Sequence, residues 1–175
     1  MQTSPTDRTG QTRAERPTRP GKYLVFTLAG ESYGVPVLAV REIIRLCPIT
    51  PVAGMPPHIR GVINLRGRVI PLIDLRLRFG LPAAADHDRT CIIVAQVAAA
   101  GGGTRPYAAV VDGVEEVASI AADDVVPPPD FGEVVDVRFI TGMARREHTV
   151  TTLIDLDVVA AADRTPESTA PPSAG

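Results

Sequence analysis

An internal repeat narrows the folds open to this chain more than any other property of its sequence. Tyr33-Gly-Val-Pro-Val-Leu-Ala-Val40-Arg-Glu42-Ile43 aligns with Tyr107-Ala-Ala-Val-Val-Asp-Gly-Val114-Glu-Glu116-Val117, placing Tyr, Val, Val, Glu and a β-branched residue in register. A second block follows in the same order. Ile59-Arg-Gly61 with Leu72-Ile-Asp74-Leu75 matches Ile140-Thr-Gly142 with Leu153-Ile-Asp155-Leu156, the glycine standing 11 residues before the leucine in both copies. One such coincidence is cheap among apolar strands; two blocks in one order, their spacing differing by seven residues, indicate duplication. The sequence therefore predicts two similar halves, at about residues 22–80 and 90–160.

Both halves read as β-structure. Leu24, Phe26 and Leu28 alternate with Val25 and Thr27, and Gly30 marks a turn before Tyr33 to Val37, so this segment reads as a hairpin. Cys91 to Val97 and Tyr107 to Val111 flank a Gly-Gly-Gly stretch that suits a hairpin loop; no Gly-Lys-Ser/Thr follows, so it is no phosphate cradle. Leu75, Leu77 and Phe79 alternate with Arg76 and Arg78, the pattern of a strand with one wet face. Strand-length apolar runs dominate, which predicts an all-β body over residues 21–162 with only short helical turns. Residues 1–20 and 163–175 are rich in Pro and Thr without apolar periodicity, and are expected to be disordered tails. No apolar run approaches the ~20 residues that span a bilayer, and the first residues lack the apolar core of a secretion signal. The expected location is cytoplasmic, with no direct membrane insertion.

A formal net charge of -2 means that the chain as a whole does not attract nucleic acid or acidic lipid. Locally the balance is uneven. Residues 21–80 carry eight basic side chains against three acidic ones, whereas residues 81–162 carry five against thirteen. Opposite signs on two halves of one small molecule favour head-to-tail contacts, or two partners, one per half.

The residues offer little chemistry. Neither Ser32 nor Ser119 sits in a nucleophile elbow, and neither Cys47 nor Cys91 has a neighbouring base. The two cysteines lack CxxC spacing and clustered histidines, so neither a zinc site nor a disulfide framework is predicted. His58, His87 and His148 are scattered singly, and the paired acids Glu115-Glu116 and Asp123-Asp124 would point to opposite faces of a strand. No catalytic residue, metal or cofactor is expected. Arg60, Arg66, Arg68, Arg76 and Arg78 raise an alternative, a small β-barrel that binds single-stranded nucleic acid through a basic face. The stacking platform such a face needs is missing, because only Phe79 lies among them, so structural surface without nucleic acid is the stronger reading.

Val40-Arg-Glu42-Ile43, the Pro-rich connector to Ile59-Arg-Gly61-Val-Ile-Asn64-Leu65-Arg66-Gly67, and then Val69-Ile-Pro71-Leu72-Ile-Asp74-Leu75 closely resemble the chemotaxis coupling (adaptor) protein family CheW. The later blocks around Val111 to Val117, Ile140 to Gly142 and Leu153 to Leu156 agree, so the resemblance covers about residues 22–160. It implies an all-β fold of two SH3-like five-stranded β-barrel subdomains packed together, and a scaffold rather than an enzyme. It also implies partners: the cytoplasmic tips of methyl-accepting chemoreceptors, the regulatory domain of the histidine kinase CheA, and CheW-like neighbours in a ring, with recruitment to membrane-associated receptor arrays.

On matching motif positions the resemblance assigns receptor coupling to Val40, Glu42, Gly61 and Arg66. Gly61 is then expected to let a partner helix approach the backbone, and Val40 to offer an apolar contact. Glu42 and Arg66 are expected to pair, an arginine fork meeting a carboxylate. Asn64, Gly67 and Asp74 are read as the structural part of the motif, turn and strand-end groups. Two departures from relatives stand out: no long amphipathic helix follows Asp157-Val-Val-Ala-Ala, and Ala144-Arg-Arg-Glu-His148 stands in place of a shorter, less charged linker.

Overall fold

The structure, a computed structural model, describes residues 20–129 and 137–163. The expectation for the two tails falls outside these residues, apart from their inner ends. The chain opens with the hairpin β1 (Gly21–Leu28) and β2 (Glu31–Pro36), followed by β3 (Val40–Arg45), β4 (Ile59–Leu65), β5 (Arg68–Asp74) and the short helix α1 (Leu75–Arg78). The same series then recurs. A second hairpin, β6 (Cys91–Ala98) and β7 (Thr104–Val111), leads to β8 (Gly113–Ile120), the two-residue β9 (Val125–Val126), β10 (Ile140–Arg146), β11 (Thr149–Ile154) and α2 (Leu156–Asp163).

Sequence halves and sheets do not coincide. One sheet has the order β3-β6-β7-β5-β4 and the other β8-β1-β2-β11-β10-β9, so each repeat lends its opening hairpin to the sheet built by the other. The junctions are parallel and equivalent: β5 pairs with β7 through Leu72 and Ala108, and β11 pairs with β2 through Leu153 and Gly34. Bulges repeat as well. Arg41 is the extra residue between Val40 and Glu42 on β3, and Glu115 is its counterpart between Val114 and Glu116 on β8. Irregularities before Gly61 on β4 and before Gly142 on β10 form a second matching pair. The sixth strand, β9, is a small elaboration of what the other sheet does with a single bridge, Thr50 to Val62.

This topology explains why the central strands are continuous apolar runs rather than alternating ones, since they are buried on both faces. On β6, Ile92 and Val94 point into a small core enclosed by the five-stranded sheet with Ile63, Ile70, Leu72 and Val110. Their neighbours Ile93, Ala95 and Val97 point the other way, into the main core shared with Leu24, Phe26, Leu28 and Val35 of the opposite sheet. Tyr23, Ile120, Ala144 and Leu153 form the corresponding inner core of the six-stranded sheet. An aromatic ladder runs through the junction, with ring centroids 6.1 Å apart for Phe26 and Tyr33, and 5.7 Å for Tyr33 and Phe79 and for Phe79 and Phe139.

Leu75 to Arg78 corrects the strand expected there: it is a helical turn. Asp74 Oδ1 accepts hydrogen bonds from the N–H groups of Arg76 (2.9 Å) and Leu77 (3.4 Å), and this cap stops β5 and starts the helix. Asp155 does the same for Asp157 N–H (2.8 Å) at the start of α2. The charged segment Ala144 to His148, read as a linker, is the end of β10 and the turn into β11. We expect Asp74→Ala to lower stability by about 1 kcal/mol, the usual loss at a helix N-cap, seen as an earlier midpoint in urea unfolding.

Candidate functional site

Four of the motif residues meet where the five-stranded sheet comes round on itself. β3 and β4 are its two edges and share no ladder. The turn Arg66–Gly67, joining β4 to β5, carries φ of 51° and 83°, as two-residue hairpin turns of the right twist require. Asn64 Oδ1 accepts the Gly67 N–H at 3.0 Å and pins that turn. From it the Arg66 fork reaches across the seam to Glu42 on β3, its two terminal nitrogens donating to Oε1 and Oε2 at 2.6 and 2.8 Å. These hydrogen bonds hold the Glu42 carboxyl below its ordinary pKa, against a smaller opposing effect of desolvation, and raise that of the guanidinium. The pair is a clasp between two edge strands, wet on its arginine side: Arg66 is 73% exposed and Glu42 27%. Beneath it lies a recess of about 380 Å³ bordered by Arg41, Leu65, Arg68 and Gln96.

Val40 is half-buried against the main core, with only part of its surface turned outward. Gly61 differs from expectation. It is buried, at φ +140°, and a Cβ there would stand 2.1 Å from the carbonyl oxygen of Thr50. The backbone that approaches it closely is the chain's own, not a partner's. Thr50 and Val62 exchange backbone hydrogen bonds of 2.9 Å in both directions, locking that approach in place.

The arginines read as a possible nucleic-acid face are dispersed among separate tasks. Arg60 forks onto Asp86 (3.0 Å twice), Arg66 is held by Glu42, and Arg78 lies over the Phe139 ring at 4.8 Å. Arg76 donates through Nε to both Asp112 oxygens at 2.8 and 2.9 Å and adds a further bond from its Nη2. That pair ties α1 to the loop before β8, where Asp112 also accepts the Ala29 N–H at 2.8 Å. Sequence reading missed it, because nothing local links residues so far apart. Phe79, the one aromatic ring among these arginines, is itself packed in the ladder rather than offered to a base.

A feature absent from the sequence reading lies just before β3. Leu38, 99% exposed, stands at the rim of a largely apolar groove of about 740 Å³ between the sheets, lined by Tyr23, Pro36, Val37, Ile154 and Leu156. Among the described residues no group of three or more His, Cys, Asp or Glu side chains could hold a metal. Cys47 and Cys91 are half-buried, and burial raises the Cys91 thiol pKa.

Comparison with known proteins accords with the duplicated fold. A family model for the CheW-like domain matches residues 22–164. The chain is 35% identical over 136 residues to the chemotaxis protein CheW of Klebsiella aerogenes, covering 78% of this chain and 79% of that protein. It is 35% identical over 147 residues to CheW of Rhizobium meliloti, covering 83% and 92%. Protein FrzA of Myxococcus xanthus is 32% identical over 114 residues, covering 64% and 67%. The crystal structure of the scaffolding protein TtCheW from Thermoanaerobacter tengcongensis superposes with a TM-score of 0.72 at 33% identity, covering 81% of this chain and 92% of that one.

Proposed function

We propose, from the premise that the chain belongs to the CheW family of chemotaxis coupling proteins, that it holds the cytoplasmic tips of methyl-accepting chemoreceptors to the regulatory domain of the kinase CheA. The family is one of non-enzymatic scaffolds, and this chain is a chemotaxis-type adaptor that works by contact. No helix among the described residues is long and apolar enough to cross a membrane, so recruitment to receptor arrays, and to CheW-like neighbours in a ring, would run through protein contacts.

The observation that carries the receptor assignment is the Glu42–Arg66 clasp, an exposed fork held in one geometry at the lip of a recess. A receptor helix laid beside it would meet oriented donors on Arg66, the outward part of Val40 and the apolar groove beyond Leu38. Gly61 supports this surface from below, by letting the Thr50–Pro51 backbone pack under β4. Asn64, Gly67 and Asp74 keep the turn and the strand end in place.

The test is co-sedimentation with receptor fragments. Glu42→Ala and Arg66→Ala should each weaken capture by about tenfold, because losing either side of the clasp frees the other from its one geometry at the docking surface, while their melting curves stay near the parent's since an exposed pair adds little stability. Undiminished capture in both variants would remove the assignment.

A further inference from the structure

The two repeats treat one spot on their sheets differently. On β8 the bulge residue is Glu115, and its carboxylate accepts hydrogen bonds from the hydroxyls of Thr27 (3.1 Å) and Ser32 (2.8 Å). Strand register gives the equivalents in the other copy. Arg41 is the bulge residue of β3, and Gln96 and Pro106 take the places of Thr27 and Ser32. One copy thus brings a carboxylate of its own to this spot. The other brings a guanidinium, and there the recess of about 380 Å³ lies, bordered by Arg41, Gln96 and Pro106. The hairpin turn follows suit: Glu147 and Thr149 of the second copy correspond to Arg66 and Arg68 of the first. The fold itself therefore requires no arginine at any of the three positions.

Charge at the recess is unbalanced. Arg41, Arg66 and Arg68 border it with a single carboxylate, Glu42, which the Arg66 fork already takes up. Arg66 spends one N–H of each terminal nitrogen on that carboxylate and keeps its other donors. Arg41 and Arg68 are exposed and form no hydrogen bond or ion pair among the described residues. The floor is apolar, with Ile70 and Val94 each 2% exposed, and Gln96 adds an amide at the wall.

We propose that this recess binds a soluble phosphate compound of two or more negative charges, its phosphate oxygens held by Arg41, Arg66 and Arg68. Guanidinium forks match phosphate oxygens two at a time, and Arg41 and Arg68 have no internal carboxylate to satisfy instead. The recess is within the size range of small-molecule sites, and its apolar floor suits the organic part of a phosphate ester. A lipid headgroup carries the same chemistry. The chain's net charge of -2 gives an anionic bilayer no long-range pull on it, so the free compound is the source inferred. Arg66 also faces the proposed receptor helix, so a bound phosphate would compete with that helix. That consequence alone rests on the proposed function, and phosphate binding is measured without any receptor.

Isothermal titration calorimetry on the full chain provides the test, with ADP and pyrophosphate as probes, free of divalent metal, at about 0.05 M salt. At least one probe should bind saturably, one per chain, and more weakly as salt rises. Arg41→Gln with Arg68→Gln should lower that affinity at least about tenfold while the melting curve stays near the parent's. Arg45→Gln, which removes an exposed arginine of β3 that does not border the recess, should bind as the parent does. If the double variant melts early, Arg41→Gln and Arg68→Gln serve singly. Flotation with phosphatidylcholine vesicles containing phosphatidic acid separates the two sources of phosphate. Binding of neither probe, undiminished binding by the double variant, an equal loss in Arg45→Gln, or capture by vesicles without binding of either probe overturns the proposal.

Discussion

Gly61→Ala should cost about 4 kcal/mol of folding stability, the largest effect of any single methyl group added to this protein. The added carbon would stand 2.1 Å from the Thr50 oxygen, 2.8 Å from its carbonyl carbon and 3.0 Å from Pro51 Cα, all backbone atoms with no rotamer to escape through. The neighbour cannot withdraw without cost, since Thr50 is tied to Val62 by two 2.9 Å hydrogen bonds. At φ +140° the backbone itself excludes a side chain even in free space. Gly67→Ala is the control: its φ is +83° but nothing lies within 4 Å of the new carbon, so only conformational strain of about 1 kcal/mol is expected. Urea unfolding monitored by circular dichroism separates the two, and equal losses would show that the close approach at Thr50 is not what fixes Gly61. A coupling defect on substituting Gly61 would then report a displaced strand β4 and a disturbed clasp, not a lost contact with a partner.

Much of this architecture was legible because duplication leaves marks that survive drift. The Val-x-Glu and Gly-to-Leu-Ile-Asp-Leu blocks fall on matching bulges, matching caps and matching edge strands. The exchange of hairpins was not legible: whether β1–β2 joins the strands of its own repeat or of the other depends on long-range pairing, and a strand such as β1, apolar on both faces from Tyr23 to Phe26, suits either sheet. Leu75 to Phe79 misled for a different reason. Four residues of alternating leucine and arginine fit a strand or one turn of helix equally, and the deciding signal is the aspartate just before them, present in both copies as Asp74-Leu75 and Asp155-Leu156. The arginines between Arg60 and Arg78 looked like one basic face because sequence proximity hides direction; three of them are forked onto carboxylates contributed by three different segments.

Arg76→Ala and Asp112→Asn should each destabilise the fold by about 2–3 kcal/mol, below the range for a fully buried pair because both side chains are still 17% exposed. Removing either partner strands the other at the junction of α1 with the β1–β2 turn, where Asp112 also holds Ala29, a non-glycine residue at φ 51°. The double variant Arg76→Ala with Asp112→Asn should lose less than the sum of the two, since no charge is left unpaired. Acid sharpens the prediction. Burial by itself raises the Asp112 pKa, but the Arg76 guanidinium and the Ala29 N–H outweigh it and hold the folded-state value below the ordinary carboxylate range. A depressed folded pKa adds stability that is fully present above the unfolded value, about 3.9, and is lost as pH falls through the folded one. The gap between parent and Asp112→Asn should therefore be widest above about pH 5 and close steadily in stronger acid. Denaturation series at several pH values measure it; a gap that stayed constant into acid would mean that Asp112 acts through shape alone, and that the two sheets are joined at this point by packing rather than by charge.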